Sequence, residues 1–370
     1  MLSIMKIALA HELLTMKGGA ERVLRIVAEM FPDAPIFTLL YDEKAVGDWF
    51  PKDRIVASYL QRYAWFSTNH HWYLSRFPRA VQAFDFSDYD LVLSFSSAFM
   101  HGIVTNEKPP HLCYVHSPAR YLWDRTHDVL KRAGKVPFRA RALERVFHNL
   151  RIWDSEAADR PDKLLAASKE VQRRIELYWR RESEILYPPV DDFWFDFNVE
   201  RSTLNVKPYY LIVSTLARYK RIDLAIKTCN KLKVPLKIAG TGSDQARLKR
   251  RAGKTVEFLG RVEEEELKKL YSGARATLFP GDEDFGIVPL ESMACGTPII
   301  AYRSGGALET VKEGITGTFF DEPTIESLME VIDGFDPDKF DPTACRQQAE
   351  KFSRSRFEKQ LMKEIEVLLA

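Results

Sequence analysis

The stretch IMKIALAHELLTMKGGAERVLRIVAEMF, Ile4 to Phe31, contains three elements in order. Ile4–Ala10 is an apolar run without alternation, the mark of a strand covered on both faces in a parallel sheet. Lys17-Gly18-Gly19 ends it in a glycine turn. From Ala20 onward the apolar residues Val23, Leu24, Ile26, Val27 and Met30 recur at helical spacing. A strand, a glycine loop and a helix open a doubly wound α/β domain.

The alternation continues along the chain. Pro35–Leu40, Leu91–Ser94, His111–His116 and Lys163–Ala167 are further strand candidates, and Ala140–Glu156 and Lys169–Trp179 are helical in pattern. Tyr187-Pro188-Pro189-Val190 can continue neither a helix nor a central strand, so the domain link is placed just after it. A second series follows, with strands at Tyr209–Ser214, Leu236–Ala239, Val256–Leu259, Ala276–Phe279 and Pro298–Tyr302. Helical patterns at Ile222–Leu232, Asp244–Arg251, Glu264–Ser272 and Val288–Ala294 separate them. The expectation is an α/β protein with parallel sheets and a ligand cleft at the carboxyl edges of the strands. The domains are expected at 1–190 and 191–352, with 353–370 a helix returning to the first.

Length and composition agree with this. The chain has 370 residues, room for about two domains. It is 45% hydrophobic and 29% charged, too apolar for disorder. A formal net charge of +2 argues against a dedicated nucleic-acid binder. Cys113, Cys229, Cys295 and Cys345 lie far apart with no metal-ligand spacing and read as reduced thiols of a cytoplasmic protein. Met1–His11 is too short for a secretory leader, and no run approaches the roughly 20 apolar residues of a membrane span.

Chemistry concentrates in Phe279–Pro298. A strand ends, a loop carries Asp282, Glu283 and Asp284, and a helix begins beyond Gly286. Glu283 and Glu291 are separated by seven residues, and a carboxylate there suits bidentate bonding to the vicinal hydroxyls of a sugar or ribose. The alternative is a solvated loop acid and an acid favoured by the helix dipole. Val213–Arg221 also joins a strand to a helix and carries Arg218, Lys220 and Arg221, either a clamp for an anionic leaving group or a solvated basic helix start. His116 closes a strand and Gly18-Gly19 closes another, each open to a structural or a ligand-facing role.

The stretch from Glu283 to Glu291 resembles the EX7E motif of the family 4 retaining glycosyltransferases. The resemblance covers essentially the whole chain, including Gly18-Gly19-Ala20-Glu21, Val213–Asp223, Ile238–Gly242, Phe258–Arg261 and Ser304-Gly305-Gly306. Tyr114–Asp124, Arg151–Asp154 and Tyr187–Val190 are similar to segments of bacterial O-antigen mannosyltransferases. The resemblance implies the GT-B architecture, two Rossmann-like domains facing across a cleft that closes over the donor. It implies metal-independent, retaining transfer of a hexose from a nucleotide sugar, with no cofactor. Mannose from GDP-mannose is the implied donor and a UDP-sugar the alternative. The implied acceptor is a glycan or a polyprenyl-linked glycan in cell-surface polysaccharide synthesis.

Roles carry over by position. Glu291 would hold the ribose, and Glu283 would lie beside the transferred sugar. The amides of Phe285, Gly286 and Ile287 would meet sugar hydroxyls and phosphate. Lys220 would hold the diphosphate. The family's arginine five residues earlier is Thr215 here, with Arg218 the nearest replacement and Arg221 the next. His116 would hydrogen-bond the donor sugar, Gly18 and Gly19 would approach phosphate or acceptor, and Gly260 and Arg261 would bind the donor. Glu283, His116 and Lys220 form the implied catalytic set, and attack would come from the leaving-group face, with a phosphate oxygen taking the acceptor proton. A divalent cation at Asp282–Asp284 is the weaker reading, since Lys220 can meet the phosphate charge. A nucleotide-sugar epimerase, a phosphorylase and a non-catalytic sugar-nucleotide-binding protein are the rivals.

Two segments are open to peripheral contact with an anionic membrane, to a core of rings under a solvated basic face, or to binding of an anionic acceptor. Seven basic residues and one acid lie between Lys131 and Arg151, and Tyr59–Arg79 mixes arginines with aromatic rings.

Overall fold

The computed structural model describes residues 5–63, 74–105, 108–133, 137–196 and 208–370. It consists of two compact units: Met1–Tyr187 together with Glu358–Ala370, and Pro188–Phe357.

The sheet of the first unit has seven strands: β1 (Ile7–Leu14), β2 (Ile36–Tyr41), β3 (Ile55–Ala57), β4 (Leu91–Ser96), β5 (His111–Val115), β6 (Lys163–Ala166) and β7 (Glu184–Ile185). They lie in the order β3-β2-β1-β4-β5-β6-β7, every pair parallel. β1, β4 and β5 are buried almost throughout, as central strands covered on both faces must be. Phe37, Phe77, Phe86 and Phe99 anchor one core cluster. The last helix, Arg354–Leu369, spans the division between the units. Within the first unit its Glu364 bonds Lys163 of β6 at 2.5 Å and its Gln360 bonds the Ile185 carbonyl at 2.9 Å.

The second unit holds six strands: β8 (Tyr209–Val213), β9 (Leu236–Ala239), β10 (Val256–Gly260), β11 (Ala274–Phe279), β12 (Ile299–Tyr302) and β13 (Gly317–Phe320). Their order is β10-β9-β8-β11-β12-β13, also parallel. Each sheet runs outward from its first strand in one direction and then in the other. The strand order therefore reverses between β1 and β4, and between β8 and β11. The crevice at such a reversal is where open α/β sheets take ligands.

Sequence periodicity misses β3, β7 and β13. The first two are edge strands of three and two residues, too short to show a pattern. β13 contains a glycine and a threonine that dilute its apolar signal. The helix expected over Asp244–Arg251 is shorter, Gln245–Lys249.

Candidate functional site

The reversal point of the second unit is built from two loops. One leaves β8 and makes a 3-10 turn over Arg218–Lys220 before helix Ile222–Leu232. The other leaves β11 and runs from Pro280 to Gly286 before helix Ile287–Ala294. Lys220 Nζ and Glu283 form a close ion pair between them, each side chain about one-sixth exposed (16% and 17%). Burial works against the ammonium, but the charge of Glu283, joined by Tyr219 and Asp284, outweighs it and raises the Lys220 pKa.

The Glu283 loop is held from below. Gly306 N–H donates to the Glu283 carbonyl at 2.9 Å, and Ser304 Oγ donates to Asp282 at 2.9 Å. A Cβ on Gly306 would lie 2.2 Å from Phe285 Cα, so only glycine permits this approach. Gly286 takes φ +85°, with its α-carbon against the ring of Phe279. It leads into the first amides of helix Ile287–Ala294, donors that the helix itself cannot use.

Glu291 is 3% exposed and accepts the Tyr271 hydroxyl at 2.8 Å. It sits deeper than an exposed edge residue. Arg218 is half exposed, its Nε 3.7 Å from Asp244, whose carboxylate Arg247 already holds at 2.6 Å. Thr215 is exposed nearby in the chain. Arg221, at φ +52°, donates instead to the Pro323 carbonyl at 3.2 Å. Gly260 ends β10 with open space beside its α-carbon, and Arg261 is exposed next to it.

In the first unit, Gly18 caps helix Gly19–Met30 and its N–H donates to Glu21 Oε2 at 3.0 Å. Glu21 Oε1 lies 3.3 Å from Nε2 of buried His11. His116 follows β5, and its N–H donates to the Ser96 carbonyl at 2.8 Å. Its ring lies edge-on to His11 at 6.3 Å and to Tyr114 at 5.0 Å. Burial, with His11 adding to it, pushes the His116 pKa down to about 3, so the ring is neutral. Its Nε2 is enclosed with no hydrogen-bond partner among the described residues.

Sequence reasoning passed over Glu12. It is 7% exposed, and its Oε1 accepts the amides of Ser97 (2.8 Å), Ala98 (2.7 Å), Phe99 (2.8 Å) and Met100 (3.2 Å). Oε2 also accepts the Ser97 amide, at 2.9 Å. These amides form an anion-binding concavity at the reversal point between β1 and β4, and Glu12 fills it. An acid inside an otherwise apolar strand was the available signal.

The Glycosyl transferases group 1 family profile matches residues 195–352, the whole of the site just described in the second unit. The second unit therefore carries the group 1 glycosyltransferase domain. The alpha-1,3/1,6-mannosyltransferase ALG2 of Mus musculus is 24% identical over 86% of this chain and 84% of its own length. A GDP-mannose-dependent alpha-(1-6)-phosphatidylinositol monomannoside mannosyltransferase of Mycolicibacterium smegmatis is 33% identical over 36% of this chain and 40% of that one. Several other curated relatives are spanned over only 44% to 46% of their own length. The fold matches Anabaena Alr3699/HepE in complex with UDP-glucose at a TM-score of 0.72 and 17% identity, over 98% of this chain and 100% of that one. The architecture is therefore GT-B.

The segments Tyr114–Asp124 and Arg151–Asp154 meet in the core of the first unit. Trp123 Nε1 donates to Asp154 Oδ2 at 2.8 Å. That contact accounts for their joint presence through packing. Among the described residues no helix is long and apolar enough to cross a membrane. Of the two surface segments, residues 64–73 and the side chains of 132–139 lie outside the described residues. Arg141 and Arg145 are exposed on helix Pro137–Ala157.

Proposed function

We propose that this protein is a retaining glycosyltransferase that moves a hexose from a nucleotide sugar to a glycan or lipid-linked acceptor without a metal ion. The observation that carries the reading is the Lys220–Glu283 ion pair at the reversal point of the second unit. As the bond to the sugar breaks, negative charge grows on the leaving diphosphate. Lys220 and the first amides of helix Ile287–Ala294 would offset it. In the resting site Glu283 occupies the ammonium. An arriving diphosphate takes Lys220 and leaves the Glu283 carboxylate to accept hydrogen bonds from the sugar. Arg218 supplies the second cation in place of Thr215, Glu291 takes the ribose hydroxyls, and the Gly260–Arg261 edge lines the donor. In the first unit, His116 is the proposed partner of a sugar hydroxyl, and Gly18 and Gly19 are the proposed partners of the phosphate or acceptor.

GDP-mannose is the proposed donor, supported by two relatives that are themselves mannosyltransferases, one of them GDP-mannose-dependent. A UDP-sugar is the second reading, favoured by the structural neighbour that holds UDP-glucose. A thermal-shift comparison of GDP-mannose and UDP-glucose in EDTA tests base, sugar and metal together. Stabilisation by GDP-mannose and turnover that persists in EDTA support the proposal. Stabilisation by UDP-glucose alone reverses the donor, and activity lost in EDTA but restored by magnesium reverses the metal assignment. Peripheral membrane contact through Arg141 and Arg145 is proposed for reaching a lipid-linked acceptor, tested by co-sedimentation with anionic against neutral vesicles.

A further inference from the structure

A file of buried polar groups runs through the first unit from its reversal point to helix Pro137–Ala157, and the transfer reading uses none of it. Glu12 Oε1 lies 3.1 Å from Ser96 Oγ, and Ser96 Oγ lies 3.2 Å from His101 Nδ1. His101 Nε2 lies 3.2 Å from the Asp154 carbonyl oxygen and 3.5 Å from Asp154 Oδ1. Asp154 Oδ2 takes the indole N–H groups of Trp123 at 2.8 Å and Trp179 at 2.7 Å. His101 and Asp154 are wholly buried, and Oδ1 has no hydrogen-bond partner among the described residues.

Counting hydrogens shows that this file has two states. Ser96 brings one hydrogen and a neutral imidazole brings one, for three gaps between Glu12 and Asp154. Burial keeps the imidazole neutral, with its pKa pushed down to about 3. If Asp154 is ionised, His101 Nε2–H donates to the Asp154 carbonyl oxygen with Oδ1 close beside it, Ser96 O–H donates to Nδ1, and the Glu12 gap has no hydrogen. If Asp154 Oδ1 carries a proton, it donates to Nε2, which gives up its bond to the Asp154 carbonyl; Nδ1–H then donates to Ser96 Oγ, and Ser96 O–H donates to Glu12. One proton separates the states, and the Ser96 hydroxyl reverses between them. The segment that carries His116 is tied to this file at both ends, through the His116 amide on the Ser96 carbonyl and through Trp123 on Asp154.

We propose that Asp154 is a positioning residue that shares a proton with His101 and thereby sets the Ser96 hydroxyl, the Glu12-filled concavity and the segment His116–Trp123. Its bearing on catalysis rests on the proposed role of His116 at the sugar; the shared proton does not. Burial first, with the charge of Glu12 adding to it against the two indole bonds, pushes the Asp154 pKa up to about 7. The groups that face Asp154 are His101 from the loop after β4, Trp123 and Tyr121 from the segment after β5, and Trp179 from helix Lys169–Trp179. Glu12 acts on it from β1, and Arg160 acts on His101.

Asn at position 154 mimics the protonated state, since its amide can donate to His101 Nε2 while its oxygen keeps the indole bonds. The test is nitrogen NMR of the full chain labelled with 15N in its histidine rings, recorded between about pH 5.5 and 8.5, where a ring tautomer is readily followed. His101 is expected to pass from the Nδ1–H to the Nε2–H tautomer with a midpoint near 7. D154N is expected to hold Nδ1–H throughout. In turnover, native kcat should fall about tenfold on the alkaline side at nearly constant KM, the effect of about one charge-assisted hydrogen bond, and D154N should lack that fall. A single tautomer in the native protein across the range, or a D154N protein that titrates like it, overturns the shared proton. A tautomer change with an unaltered kcat profile overturns the positioning role. If no nucleotide sugar is turned over, the transfer reading fails while the tautomer measurement still decides the proton.

Discussion

At the reversal point of the second unit, Glu283 is 17% exposed and faces a lysine; at that of the first, Glu12 is 7% exposed and faces four backbone amides. Both are carboxylates where the order of a sheet reverses, Glu12 on β1 and Glu283 in the loop after β11. Their partners differ in freedom. A lysine side chain has a flexible stem and can exchange one anion for another, as the proposed displacement of Glu283 by a diphosphate requires. Backbone amides are fixed by the loop they belong to and hold Glu12 as part of the fold. The same topology thus yields one site poised for ligand exchange and one closed by the chain itself.

The largest effect should come from the exchangeable site. Lys220→Ala should lower transfer roughly 10²–10³-fold, about 2.7–4 kcal/mol, the usual loss on removing one preorganised charge interaction. Glu283→Ala should fall in the same range. Thermal stability should fall as well in each, because the variant leaves a mostly buried charge without its close partner. Glu291→Ala should lose both transfer and stability, since the Tyr271 hydroxyl would lose its buried acceptor. Full turnover in Lys220→Ala would remove the distinction between the two reversal points.

Next comes the closed site. Glu12→Ala leaves the buried amides of Phe99 and Met100 without this acceptor, each costing about 1–3 kcal/mol. The first unit should unfold earlier, and millimolar phosphate should restore part of the loss by filling the concavity. Native protein should gain nothing from phosphate at this place. A differential scan with and without phosphate reads both. Equal stabilisation of native protein and variant would mean that Glu12 does not close the site.

The two units should also part in their response to acid. Burial pushes His101, His111 and His116 down to about 3 and Asp154 up to about 7, all in the first unit. A histidine lowered from 6.5 gives stability that is complete above 6.5 and lost as pH falls toward 3. A carboxyl raised from 3.8 acts oppositely, its contribution falling as pH rises from about 4 to 7. Between about pH 4 and 6.5 three histidines oppose one aspartate, so these groups should make the first unit lose stability on acidification with a slope near two protons. Asp154→Asn removes the opposing group and should steepen the slope to about three. Denaturant titrations at several pH values, read at the tryptophans of the first unit, measure it, and an unchanged slope in the variant would show that Asp154 titrates normally.

What could be read beforehand follows the same divide. Glu283, Glu291 and Lys220 lie in short motifs at strand ends, where a few residues of one chain segment define the geometry. Gly306 belongs with them, because a glycine forced by close approach leaves a mark in the sequence. The long central strands were legible for a similar local reason, since both faces are apolar. Glu12, Ser96, His101 and Asp154 were not. They come from four separate elements, and their meaning arises only when β1 and β4 pair and helix Pro137–Ala157 packs beside them. Trp123 and Asp154 stand in separate segments, and neither segment alone implies their bond. The edge strands escaped because two or three residues cannot display a period.

The smallest expected effect tests how far the open site tolerates change. Where the family has an arginine, this chain has Thr215, and Arg218 is the nearest cation. Its guanidinium is half exposed and 3.7 Å from Asp244, a distance too long for a firm hydrogen bond. Asp244 does not depend on it, since Arg247 holds both carboxylate oxygens. Arg218→Ala should therefore change stability by less than about 0.5 kcal/mol, as surface substitutions usually do. Its cost should appear in transfer, about fivefold, the share of a partly screened second cation beside Lys220. Thr215→Arg in the Arg218→Ala background should recover that loss, because a guanidinium at position 215 would stand where the family places its own. Arg221 cannot substitute in the same way while it donates to the Pro323 carbonyl. Steady-state rates of the two single variants and the double variant decide the point. A silent Arg218→Ala together with a faster Thr215→Arg single variant would show that the site works with Lys220 alone and that Arg218 belongs to the solvated surface.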